Sequence, residues 1–99
     1  MTEQIMDIAK SDIVKSIAGR DQGKYFFVLE AEEDFLVLAD GKTRKVEAPK
    51  RKKRKHTAGT DFPRTRVSEK IRNGEKITNS ELRRTLAQIC EGGNPDQEG

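Results

Sequence analysis

A mainly β fold, a small antiparallel barrel followed by a short C-terminal helical hairpin, is predicted by three features of this sequence. Short runs of apolar and β-branched residues recur between Asp12 and Glu47, separated by tight turn signals. In the last third the apolar residues change to a four-residue spacing, the mark of a helix. With 99 residues, 32% of them hydrophobic and no Trp, the chain can build one small core but not two.

Each element has its own justification. Residues 1–11 read as a flexible lead-in, and the barrel is expected over residues 12–49. "DIVKSIA", Asp12 to Ala18, reads as a strand that stops at Gly19. "KYFFVLEA", Lys24 to Ala31, concentrates aromatic and β-branched side chains and is the clearest strand. The acidic turn "EED" leads to "FLVLA", Phe35 to Ala39, a continuous apolar run expected in the barrel interior. "DGK", Asp40 to Lys42, is a strong turn, because glycine at its second position takes positive φ without strain. A fourth strand is expected at Thr43–Glu47, ended by Pro49, which cannot donate to a ladder.

The segment "PKRKKRKHTAGTDFP" has no apolar periodicity, so residues 50–63 read as a basic linker, extended or disordered. A helical hairpin follows over residues 64–90. Val67 and Ile71 lie four apart before Gly74, a good helix stop. Thr78 and Glu81 have capping-box spacing, with Ile77 and Leu82 at the staple positions. Leu82, Leu86, Ile89 and Cys90 then form one apolar stripe that must pack on the barrel or on a partner. Residues 91–99 read as a disordered tail.

Charge is the strongest pointer to function. Between Lys42 and His56 there are nine Lys or Arg and one acid, Glu47, a net +8. The whole chain is only +3, so the remainder is net −5. A basic segment in an otherwise acidic chain is the footprint of a polyanion binder. The candidate contacts are Arg20 and Lys24 in the first loop, Lys42, Arg44 and Lys45 after the third strand, and Lys50, Arg51, Lys52, Lys53, Arg54, Lys55 and His56 in the linker. Arginine grips phosphate with two parallel N–H bonds, so Arg44, Arg51 and Arg54 are the better candidates for ordered contacts.

The stretch "AGRDQGKYFF" adds a motif. Ala18, Gly19, Asp21, Gly23 and Lys24 match the "AGxDxGK" of the KOW motif, and "DGKTRK" and "PKRKKRKH" follow in order. Together with "EKIRNGEKITNSELRRTL", these segments resemble bacterial KOW-domain RNA-binding proteins related to an archaeal and eukaryotic large-subunit ribosomal protein. The resemblance spans about Asp12 to Leu86. It implies an SH3-like barrel, RNA binding and association with the ribosome, with ribosomal RNA of the large subunit as the expected partner. Phe26 departs from the pattern, since many KOW motifs carry a glycine there.

Other chemistries find no support in the residues. A phosphate-binding P-loop needs four residues between its glycines and a Ser or Thr after the lysine. Here three residues separate Gly19 from Gly23, and Tyr25 follows Lys24. The glycines could shape a plain hairpin turn, or that turn could aim Arg20 and Lys24 at phosphate. His56 and Cys90 stand alone, short of the three or four ligands zinc requires. Glu30, Glu32, Glu33 and Asp34 read as a solvated turn. Tyr25, Phe26 and Phe27 offer bases a stacking surface on whichever strand face is exposed. No nucleophile–base arrangement appears, so no enzyme activity, cofactor or small-molecule substrate is expected. A single cysteine, no signal-peptide pattern and no long apolar run set the expectation of a soluble cytoplasmic protein without membrane contact. The alternative reading is a protein-interaction module of the transcription or translation machinery, using barrel and hairpin.

Overall fold

The structure, a computed structural model, describes residues 8–90. The expectations for residues 1–7, for the Cys90 side chain and for the tail 91–99 lie outside the described residues. Five strands form one antiparallel sheet: β1 (Ile13–Ser16), β2 (Tyr25–Ala31), β3 (Phe35–Ala39), β4 (Lys50–Lys53) and β5 (Thr57–Gly59). Their order is β4-β3-β2-β1-β5. A single 3-10 turn, Arg54–His56, joins the two edge strands, and no β4–β5 ladder is formed. The sheet is rolled, but the barrel is not closed. Helices α1 (Arg66–Arg72) and α2 (Asn79–Cys90) complete the chain.

The apolar runs of β2 and β3 lack alternation because both faces of the sheet are covered. On the inner face Val14, Phe26, Val28, Leu36 and Leu38 pack together under Ile8. On the outer face Ile13, Phe27 and Ala39 pack against Val67, Ile71, Leu82 and Leu86 of the helices. "FLVLA" is therefore shared between the two cores and does not belong wholly to the interior. Phe26 and Phe27 are both fully buried, on opposite faces, so neither can stack on a base in this fold. An extra residue in β2, between Val28 and Glu30, breaks the register with β3. Such a bulge bends the strand and helps the sheet roll.

The helical hairpin lies on the barrel's outer face. In α2 the Thr78 amide donates to Glu81 Oε1 at 2.9 Å and the Glu81 amide to Thr78 Oγ1 at 3.2 Å, the reciprocal bonds of the capping box. Thr65 and Ser68 form a second such box at α1. The apolar stripe is buried against the sheet at Leu82 and Leu86, with Ile89 partly covered. Each such leucine contributes about 2 kcal/mol.

Three further expectations are corrected. Thr43–Glu47 is not a strand but part of a long loop, organised by the buried Asp40. Its Oδ1 accepts from the Lys42 and Arg44 amides at 2.9 and 2.8 Å, and its Oδ2 from Thr43 Oγ1 at 2.9 Å. These local bonds outcompete a ladder. The basic segment is not a linker either, because Lys50–Lys53 pairs with β3 and Thr57–Gly59 with β1. Nor does the lead-in hang free at its end: Ile8 and Ser11 are buried, and the Ser11 amide donates to Val28 O at 2.7 Å.

Two glycines require glycine for different reasons. Gly23 has φ +92° with open space around it, so a side chain there meets only backbone strain. Gly41, at φ +78°, is pressed against the start of α2, and a Cβ would fall 2.2 Å from Asn79 O. Urea denaturation should therefore separate them. Gly23→Ala is expected to cost about 1–2 kcal/mol. Gly41→Ala, strained and clashing with backbone, is expected to cost at least about 3 kcal/mol. Equal losses would mean that the loop-to-helix contact yields without cost.

Candidate nucleic-acid interface

The basic run "KRKKRK" is sorted by the pleat of β4. Lys50 and Lys52 turn to one side of the strand. Lys50 Nζ donates to Asp21 Oδ2 at 2.9 Å, and Lys52 Nζ to Asp21 Oδ1 at 3.1 Å and to Ala18 O at 2.9 Å. The Lys52 side chain is only 7% exposed and that of Asp21 12%. Ser16 Oγ adds a 2.7 Å bond to Asp21 Oδ1. Burial works against the Asp21 carboxylate. The bonds from Ser16, Lys50 and Lys52, with the Lys52 charge, outweigh it and hold the carboxyl well below its usual range.

Arg51 turns outward. Its guanidinium lies 4.2 Å from the Phe35 ring centroid, and its Nε and Nη2 donate to Glu32 Oε1 at 3.0 and 2.8 Å. Arg54 donates through Nε to Glu32 O at 2.9 Å and through Nη1 to Ile8 O at 3.0 Å, tying the β2–β3 turn to the lead-in. Two of the three arginines expected as ordered phosphate contacts, Arg51 and Arg54, thus hold the barrel's own backbone and turn. Lys53 and Lys55 are exposed and His56 half-buried, and none of the three side chains has a polar partner among the described residues. The His56 carbonyl accepts from the Ile17 amide at 3.0 Å.

The remaining candidates gather at one end of the barrel. Arg20 and Lys24 are exposed on the β1–β2 loop, and Lys42, Arg44 and Lys45 on the β3–β4 loop. Antiparallel pairing places these loops side by side, since Phe27 near the start of β2 opposes Ala39 at the end of β3. The acidic β2–β3 turn lies at the opposite end of those strands.

Lys24 and Lys42 line one open cleft of about 270 Å³ with Tyr25, Asp40, Thr43, Arg83, Leu86 and Ala87. Arg83 is absent from the sequence-based candidates. Its Nη1 donates to Gly41 O at 3.0 Å and its Nη2 to Ser80 Oγ at 3.3 Å, which fixes the guanidinium at the cleft. The stripe that begins at Leu82 puts Arg83 at the edge of the buried face, but nothing in the sequence brings that edge to Gly41. Lys15 was also missed, and its Nζ lies 5.8 Å from the Tyr25 ring centroid. Tyr25 packs edge-on against Phe62, with centroids 5.5 Å apart.

No protein-family model matches this chain, and no curated protein matches it in sequence. Among the described residues no group of three or more His, Cys, Asp or Glu is placed to hold a metal ion. No helix among them is long and apolar enough to cross a membrane.

The Asp21 cluster makes two expectations measurable. Asp21→Asn leaves Lys52 buried beside a neutral group, and chemical denaturation should register a loss of about 3 kcal/mol. The folded carboxyl titrates below its ordinary value of 3.8, so the unfolded chain binds the proton first as pH falls. The stabilisation is whole above that value and drains away below it. Comparing denaturation at about pH 5 and about pH 2.5, the parent should lose more stability than Asp21→Asn. Equal losses would mean that Asp21 is not a linked carboxylate.

Proposed function

We propose that this protein binds RNA through the end of the barrel where the β1–β2 loop, the β3–β4 loop and α2 meet. The observation that carries the reading is the convergence of Lys24, Lys42 and Arg83, from three separate elements, on one cleft. Among the described residues that line the cleft the only carboxylate is Asp40, which is buried and already accepts three bonds from its own loop, so it is a poor counterion for the three cations. Arg20, Arg44 and Lys45 extend the positive rim, while Lys53 lies opposite Phe35, beside the acidic β2–β3 turn at the other end of the strands. No catalytic step is required: the protein is a clamp on phosphate whose affinity comes largely from counterion release. The resemblance to KOW proteins directs the choice of RNA to the ribosome, and to ribosomal RNA of the large subunit in particular.

The alternative is a protein-interaction module that uses barrel and hairpin. The hairpin's stripe is buried on the sheet at Leu82 and Leu86, so that part of the surface is already occupied.

Binding should show steep salt dependence and little sequence preference. With about six phosphates neutralised, log K against log salt is expected to have a slope of about −4 to −5. Lys24→Ala with Lys42→Ala should flatten that slope by about two units, close to one per lysine–phosphate contact. Both side chains are exposed, so the melting temperature should move little, as for surface substitutions within about 0.5 kcal/mol of neutral. A parent slope near zero, or an unchanged slope in the double variant, would remove the basic end from the interface.

A further inference from the structure

We infer that the cleft between Lys24, Lys42 and Arg83 seats a single unpaired nucleotide, giving the protein a preference for single-stranded RNA over duplex. The inference rests on the RNA-binding reading and names what that site recognises. The cleft is small, about 270 Å³, just under the roughly 300–1,000 Å³ typical of small-ligand pockets. That is room for about one nucleotide and none for a helix.

Its lining combines two chemistries: the three cations, and apolar surface from Tyr25, Leu86 and Ala87. A nucleotide combines the same two, an anionic phosphate and a flat, largely apolar base. In duplex RNA the bases are stacked and paired, and only unpaired ones can be splayed into such a site.

The cleft is also preformed. Gly41 lies against Asn79 with no room for a side chain, and Arg83 bonds Gly41 O and Ser80 Oγ. The β3–β4 loop is thereby held to α2, and Asp40 fixes the loop's own shape. A rigid site loses little freedom on binding, which favours recognition of one defined group over diffuse attraction.

Ala87 provides the test, because it is exposed on α2 and touches the site only as part of its wall. The full chain would be titrated at physiological salt with an unpaired RNA octamer, the matching duplex and adenosine monophosphate. The parent should bind the octamer at least tenfold tighter than the duplex. Ala87→Glu should cost the octamer tenfold or more and the duplex no more than threefold, with an unchanged circular dichroism spectrum. In NMR titrations adenosine monophosphate should shift the Lys24, Tyr25 and Ala87 amides, weakly.

Equal binding of octamer and duplex, both losing slope in Lys24→Ala/Lys42→Ala, would overturn the single-nucleotide cleft and leave the RNA reading standing. Adenosine monophosphate binding as tightly as the octamer would also overturn it, in favour of a free-nucleotide site. Absence of binding to both RNAs would overturn the RNA reading and the cleft together.

Discussion

One carboxylate holds the open side of this barrel together. The rolled sheet has no ladder between its edge strands, so the gap must be bridged in another way. Asp21, on the β1–β2 loop, bonds Lys50 and Lys52 of β4, while Lys52 continues to the Ala18 carbonyl. A buried ion pair is often a poor source of net stability, since desolvation offsets much of the attraction. Its value here is register. Strand β4 reads Lys-Arg-Lys-Lys and has no apolar alternation to tell its faces apart. A one-residue slip would carry Lys50 and Lys52 away from Asp21 and lift Arg51 from Phe35 and Glu32. Charge does for β4 what the hydrophobic effect does for β2 and β3.

The same arrangement divides the basic residues into two populations. Lys50, Lys52, Arg51 and Arg54 neutralise or bond groups of the barrel itself. Arg20, Lys24, Lys42, Arg44 and Lys45 sit on two adjacent loops, without a carboxylate partner among the described residues. A polyanion approaching the chain therefore meets the loop end first, although the densest run of positive charge in the sequence lies in β4. The "AGxDxGK" stretch joins both populations. Asp21 faces inward to anchor β4, and Arg20 and Lys24 flank it in solvent, so the turn that bonds β4 also carries the proposed contacts.

Much of the fold was legible because it follows local rules. Strands β2 and β3 announced themselves by composition, and α2 by the Thr78–Glu81 box and its stripe. What was not legible depended on distant partners. Lys50–Lys53 could not be recognised as a strand from its own residues, because its reason to be one is Asp21, some thirty positions earlier. Thr43–Glu47 looked like a strand until Asp40 was seen to bind the loop's amides. The box at Thr65 escaped notice because Ser68 stands where Glu or Gln is usual. For the candidate site, the loop lysines could be named from sequence. Arg83 could not, since its place beside Gly41 exists only once α2 lies on the sheet.

Helix α2 therefore belongs to the core and to the proposed site at once. Leu82 and Leu86 bury its inner face on β1, β2 and β3, and the register that buries them turns Arg83 and Ala87 toward the β3–β4 loop. Leu86 takes part in both, as a core residue and as cleft wall. The helix could not rotate to improve one function without losing the other. This coupling explains why the contact at Gly41 is so close. The loop must reach α2 where the helix stands, and the core, being much the larger energetic term, decides where that is. The cleft is shaped by the packing of the hydrophobic face beneath it, and its charges are those that this packing leaves at the surface.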